Sequence, residues 1–237
     1  MDAKLENKLK QFCYGAKAAL GERLKAVIVH GSLVRGEYVA RRSNVNLIVI
    51  VDKLSFDMLQ VSYKLFHKYK KITRIIPFLF DGDYMQRLLG IFPVEFLDIK
   101  ENYLVLSGED PFAGLDIDKK HLRFQCEYKL KGNLIKLRQG YLEATFTREL
   151  KKLMLDSFSS VMAIFRSLIR LKGGSPPPSG EELMIEISRL CNLNEHVLLT
   201  LLRIKLGKER ISHKGISFLY RDWVEEVDKL THAVDTL

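Results

Sequence analysis

Cysteine is scarce in this chain, and its three copies, Cys13, Cys126 and Cys191, stand far apart. None belongs to a Cys-x-x-Cys pair, so neither a disulfide frame nor a thiolate zinc site is expected, and the expected location is a reducing cytoplasm. The six histidines are equally scattered, with no His-x-x-x-His pair, which leaves a histidine metal site without support. No apolar run approaches the ~18 residues that a membrane span needs, so no membrane partner is expected. The stretch Met1 to Lys10 is polar and lacks the apolar core of a signal peptide. Of the six prolines, three fall together at Pro176-Pro177-Pro178. No internal repeat is visible.

What is present reads as an ordinary globular chain. Its 237 residues suffice for one large or two modest domains, and 47% of them are hydrophobic. Basic residues outnumber acidic ones, 38 to 29, giving a formal charge of +9. That balance favours anionic partners such as nucleotides, RNA or DNA. Because the charge is spread along the chain, general solubility explains it equally well.

Periodicity divides the chain near residue 117. Before it, apolar positions at Leu5, Leu9, Phe12, Ala16 and Leu20 mark a helix over 3–21. Short β-branched runs at 25–30 and 45–51 read as buried strands. A helix over 54–69, a strand over 72–80 and a short helix over 81–89 follow, with further strands expected at 93–99 and 103–106. After Asp118, Leu122, Cys126, Leu130, Leu134 and Leu137 form the stripe of a long amphipathic helix. Helices are then expected over 146–171, 181–190, 195–206 and 216–230, with Gly173 to Gly180 as the one stretch of linker composition. The expected fold class is α+β: a small mixed sheet with helices over 1–117, then an all-helical domain over 118–237.

One motif stands out. An apolar strand ends in His30-Gly31-Ser32, Arg35-Gly36-Glu37 follows, and Ser43-Asn44-Val45-Asn46 enters a second apolar strand. A small-residue pair after a strand lets backbone N–H groups approach phosphate oxygens, and Ser32 adds a hydroxyl. The ordered set resembles the signature of the polymerase-β-like nucleotidyltransferases, whose minimal and aminoglycoside-modifying members pair such a domain with a helical bundle. The resemblance covers residues 25–112 well and the remainder only in architecture.

That resemblance implies two aspartates holding Mg²⁺ at positions 44 and 46, where this chain has Asn44 and Asn46. An amide offers a neutral carbonyl and a competing NH₂ donor, whereas Mg²⁺ favours charged carboxylates. The chain therefore looks like a degenerate member. Strand alternation puts Asn44 and Asn46 on one face. The resemblance also implies a third acid, the base for an attacking hydroxyl, on a later strand. Glu95 is the expected catalytic residue there, with Asp98 on the opposite face of that strand. Gly31, Ser32, Arg35, Asn44 and Asn46 are the expected nucleotide- or phosphate-binding set, with Arg41 and Arg42 close by. No metal ligand is assigned, and Mg²⁺ enters only if the site is active.

Three functions stay open at this point. The first is a catalytically degenerate protein that holds a nucleotide or another small phosphorylated ligand in a cleft between its domains. The second is an active enzyme moving a nucleoside monophosphate from NTP to a small-molecule hydroxyl, with Glu37 or Asp52 replacing the lost acids. The third is a nucleic-acid-binding or antitoxin-like module using the basic stretch Lys205, Lys208, Arg210, His213 and Lys214. An oligomer is compatible with all three. Trp223 and Tyr220 are expected in the core.

Overall fold

β-Branched residues decide the architecture of the first half. In the computed structural model, which describes residues 3–39, 43–70 and 74–235, they form β1 (Leu24–His30) and β2 (Val45–Val51), followed by β3 (Ile75–Asp81) and β4 (Tyr103–Gly108). The sheet order is β3-β2-β1-β4. β1 pairs antiparallel with β2 and with β4, while β2 and β3 run parallel. The sheet is mixed, and with the helices it gives the α+β class that the sequence predicts.

Alternation along the strands divides the sheet into two faces. Val27, Val29, Val45, Leu47, Val49 and Val51 point to one side. They join Leu5, Leu9, Phe12 and Ala16 of α1 (Ala3–Leu20) and Met58, Leu65 and Tyr69 of α2 (Phe56–Lys70) in one apolar core. Ile28, Ile48 and Ile50 point to the other side and are also buried. Burial on both faces explains why these strands read as unbroken apolar runs. His30 and Asn46 are the polar exceptions, at the end of the second face. The strand expected over 72–80 begins at Ile75, and positions 72 and 73 lie outside the described residues.

The segment over 93–99 is a helix and not a strand. After α3 (Gly82–Leu88), α4 spans Pro93–Glu101. The alternating look of Phe92 to Ile99 conceals ordinary helix signals: proline at the first position, Glu95 in the first turn and Lys100 in the last. Runs this short do not separate the two periods by pattern alone.

The chain divides into two compact units, Met1–Ile91 with Phe96–Asp116, and Phe92–Glu95 with Ile117–Leu237. The second unit is helical. It is built from α5 (Lys119–Glu143), α6 (Thr147–Leu171), α7 (Gly180–Cys191), α8 (Glu195–Leu206) and α9 (His213–Asp235). Trp223 donates from Nε1 to Ser157 Oγ at 3.1 Å and meets Phe158 edge-on, and Tyr220 donates to the Leu137 carbonyl at 2.6 Å. Both aromatic residues are core, as the helical stripe predicts. The buried Glu226 accepts from the Asn194 backbone at 2.8 Å, and Asn194 in turn caps α8. Among the described residues, no helix is long and apolar enough to cross a membrane.

Gly108 closes β4 in the left-handed region, at φ +87°, and a Cβ there would lie 1.9 Å from the Lys25 carbonyl oxygen. Gly36 has a similar φ of +75° but open space around it. Gly36→Ala is expected to cost only the left-handed penalty of about 1–2 kcal/mol. Gly108→Ala adds a collision with backbone and is expected to lose clearly more. Paired urea melts check this; equal losses would show that β4 shifts freely against β1.

Candidate functional site

The site begins where β1 ends. Gly31 follows His30 at φ +80°, a conformation that costs a glycine little, and opens a single 3-10 turn, Gly31–Leu33. Its N–H donates to the Asn102 carbonyl at 3.1 Å, and its carbonyl accepts from Val34 and Arg35. The Gly31 amide is thus committed within the fold. The N–H groups of Ser32 and Leu33 come next in the same turn, and Ser32 is half-buried, not covered.

Asn46 lies beside this turn. On β2 it pairs with His30 of β1 and Ile76 of β3. A Cβ on Gly31 would sit 3.1 Å from Asn46 Nδ2, so the amide rests against the bare face of the glycine. Asn44 precedes β2 and is half-buried. Val45 and Leu47, both fully buried, take the opposite face. The register therefore brings Asn46 beside Gly31, and Ser32 follows in the same turn.

Arg35 has a different role from the expected one. Its Nε donates to Glu37 at 3.0 Å and its Nη1 to Asp98 at 3.1 Å, and all three side chains are largely buried. The guanidinium fastens the loop after Gly31-Ser32 to α4. It is neutralised by two carboxylates, so it is no ready cation for a phosphate. Glu37 is engaged in the same cluster. Asp52 follows the far end of β2, six residues beyond Asn46 and therefore about 20 Å away, and pairs with Arg23. Asp52 is therefore not placed to replace a missing acid at 46, and Glu37 is already paired with Arg35. Arg41 and Arg42 lie outside the described residues.

Glu95 must be reassigned. It sits in the first turn of α4, where strand alternation does not apply. Its carboxylate pairs with Lys129 and accepts from Gln125 Nε2 at 2.8 Å, while Gln125 Oε1 accepts from the Val94 backbone at 2.6 Å. These contacts tie the start of α4 to α5. They give Glu95 a structural task within the helical unit. Asp98, one turn later, serves Arg35.

Sequence reasoning missed His30 as part of this site. Its side chain is 8% exposed, and Nε2 is buried with no hydrogen-bond partner among the described residues. Burial pushes its pKa down to about 4, the nearby Asp98 pulls it up, and Arg35 pushes it down. His30 is therefore neutral at pH 7. The only hint in the sequence was its place directly before Gly31-Ser32.

The donor set does not suit a divalent metal. The Asn46 amide stands against Gly31, and its neighbours in the sheet are the neutral imidazole of His30 and Ile76. Among the described residues, no group of three or more His, Cys, Asp or Glu is placed to hold a metal ion. Hard cations such as Mg²⁺ favour carboxylate oxygens.

No protein-family model matches the sequence, and no curated protein matches it either. Solved structures do match. Spectinomycin adenyltransferase AAD(9) from Enterococcus faecialis, solved with ATP and spectinomycin, superposes with a TM-score of 0.58 over 92% of this chain and 97% of its own, at 15% identity. The chain has a nucleotidyltransferase fold. A nucleotidyltransferase-like protein from Exiguobacterium sibiricum 255-15 is also similar, at 11% identity over 97% of this chain and 74% of its own, with a TM-score of 0.31.

His30 has a measurable consequence. Between pH 6.5 and about 4 the unfolded chain binds a proton on this imidazole that the folded chain does not. Unfolding then takes up a proton, so stability falls as pH falls through that window. His30→Phe is expected to flatten the corresponding part of the stability–pH curve, and the His30 ring signal in wild-type NMR spectra should stay neutral at pH 5. A His30 midpoint near 6.5 would contradict the burial argument.

Proposed function

We propose that this chain binds the phosphate of a nucleotide, or of a similar small phosphorylated ligand, at the Gly31-Ser32 turn beside Asn46, without acting as a metal-dependent transferase. The observation that carries the reading is the contact of the Asn46 amide with Gly31, where the resemblance expects a metal-holding carboxylate. An NH₂ group there is a donor to an anion. An aspartate there would repel the same anion unless a cation stood between them. The superposition on an adenyltransferase that contains ATP supports a nucleotide as the ligand. The position of Glu95 on α4, paired with Lys129, supports the absence of transfer, since the residue expected as third acid is not on a strand of the sheet.

Calorimetry with ATP tests this directly. Wild type is expected to bind ATP in EDTA, and excess Mg²⁺ should change the dissociation constant by less than about threefold. Asn44→Asp/Asn46→Asp is expected to lose binding in EDTA and recover it with Mg²⁺ by at least about tenfold, because the two carboxylates repel a bare phosphate and recruit a cation. Turnover is not expected even then. Mg²⁺-dependent nucleotide transfer by wild type would overturn the proposal.

A further inference from the structure

The face of the sheet that carries Asn46 also carries a row of rings. Phe78 pairs with Ile48 on β2, two residues along from the Asn46–Ile76 pair. Its ring centroid lies 6.4 Å from that of His30 and 5.9 Å from that of Phe80, the latter stacked at 10°. Phe80 continues to Tyr84 at 6.4 Å, and the Arg87 guanidinium lies 5.6 Å over the Tyr84 ring. The row thus begins at the imidazole that borders the Gly31 turn and runs outward to a cation.

This row is not closed core. Phe78 is 45% exposed and Tyr84 is 43% exposed. Strand geometry sets the distance from the turn. Two residues along the sheet and one strand across place Phe78 about 8 Å from Asn46, backbone to backbone. That is the span of the sugar that separates a 5′-phosphate from its base. Exposed ring faces in such a row favour a flat π-system in offset stacking over an aliphatic group.

We infer that the exposed face of Phe78 is a stacking platform for the planar ring of the ligand whose phosphate rests against the Gly31 turn. The ligand class is a nucleotide or another phosphorylated heterocycle, and the inference rests on the phosphate-binding reading above. Base–aromatic stacking accepts any base, so little discrimination between purines is expected.

The test compares ATP, GTP and inorganic tripolyphosphate in EDTA, on wild type and on Phe78→Leu, a half-exposed position where the leucine keeps apolar bulk. Wild type should bind ATP and GTP alike, and each about tenfold more tightly than tripolyphosphate. Phe78→Leu should bring both nucleotides down to the tripolyphosphate value and leave tripolyphosphate itself unchanged. Equal wild-type affinities for ATP and tripolyphosphate would overturn the platform and leave the phosphate site intact. A base preference that survives in Phe78→Leu would place the base elsewhere and overturn it as well. Absence of binding by all three probes would instead refute the phosphate reading, and the platform with it. The wild-type comparison stands even if the variant fails to fold.

Discussion

The register between β1 and β2 is the constraint on which the rest depends. His30 lies opposite Asn46, and Val29 opposite Leu47. Slipping that pairing by one residue would turn Asn46 into the apolar core and Val45 or Leu47 toward solvent. Burial on the core face is nearly complete, with Val27, Val45, Leu47 and Val49 all at 0% exposure. The hydrophobic effect that fixes the sheet thereby also fixes an amide against a glycine. No contact at the site itself is needed to specify that geometry.

A second tie holds the loop that follows. Arg35 bridges Glu37 in its own loop and Asp98 on α4, and Gly31 donates to Asn102 just past that helix. The turn is clamped from both ends to the α4–β4 segment. Because the three charged side chains are largely buried, removing one would leave the others poorly compensated. The arginine closest to the motif is therefore better understood as a strut than as a ligand contact.

Much of this was legible in the sequence, and the failures share a cause. The strands β1 and β2 and the helix α1 show their periods over enough residues to be read directly. The Gly31-Ser32 and Asn46 placement follows from strand order and alternation. The segment 93–99 failed because seven residues of mixed pattern fit either period, and the error took Glu95 with it. Arg35 failed because its deciding partner, Asp98, is 63 positions away. His30 and Phe78 failed for the same reason. Each is ordinary in its own strand and gains meaning only when β3 is laid beside β2 and β1. Local pattern identifies elements, while long-range partners assign roles.

The electrostatics of the site are consistent across these residues. A pocket of carboxylates is unfavourable for phosphate until a dication enters, so metal and anion must bind together. Here the carboxylates nearest the turn, Glu37 and Asp98, are already balanced in part by Arg35. The imidazole beside it is uncharged at neutral pH because burial disfavours its proton. The two positions that would carry negative charge are amides. Under the phosphate-binding proposal, a phosphate meets an amide at 46 and the backbone N–H groups of the turn in place of carboxylates. Restoring carboxylates at 44 and 46 would add two negative charges to that surface. On that proposal, the amides let an anion bind without a cation, and the buried neutral histidine belongs to the same arrangement.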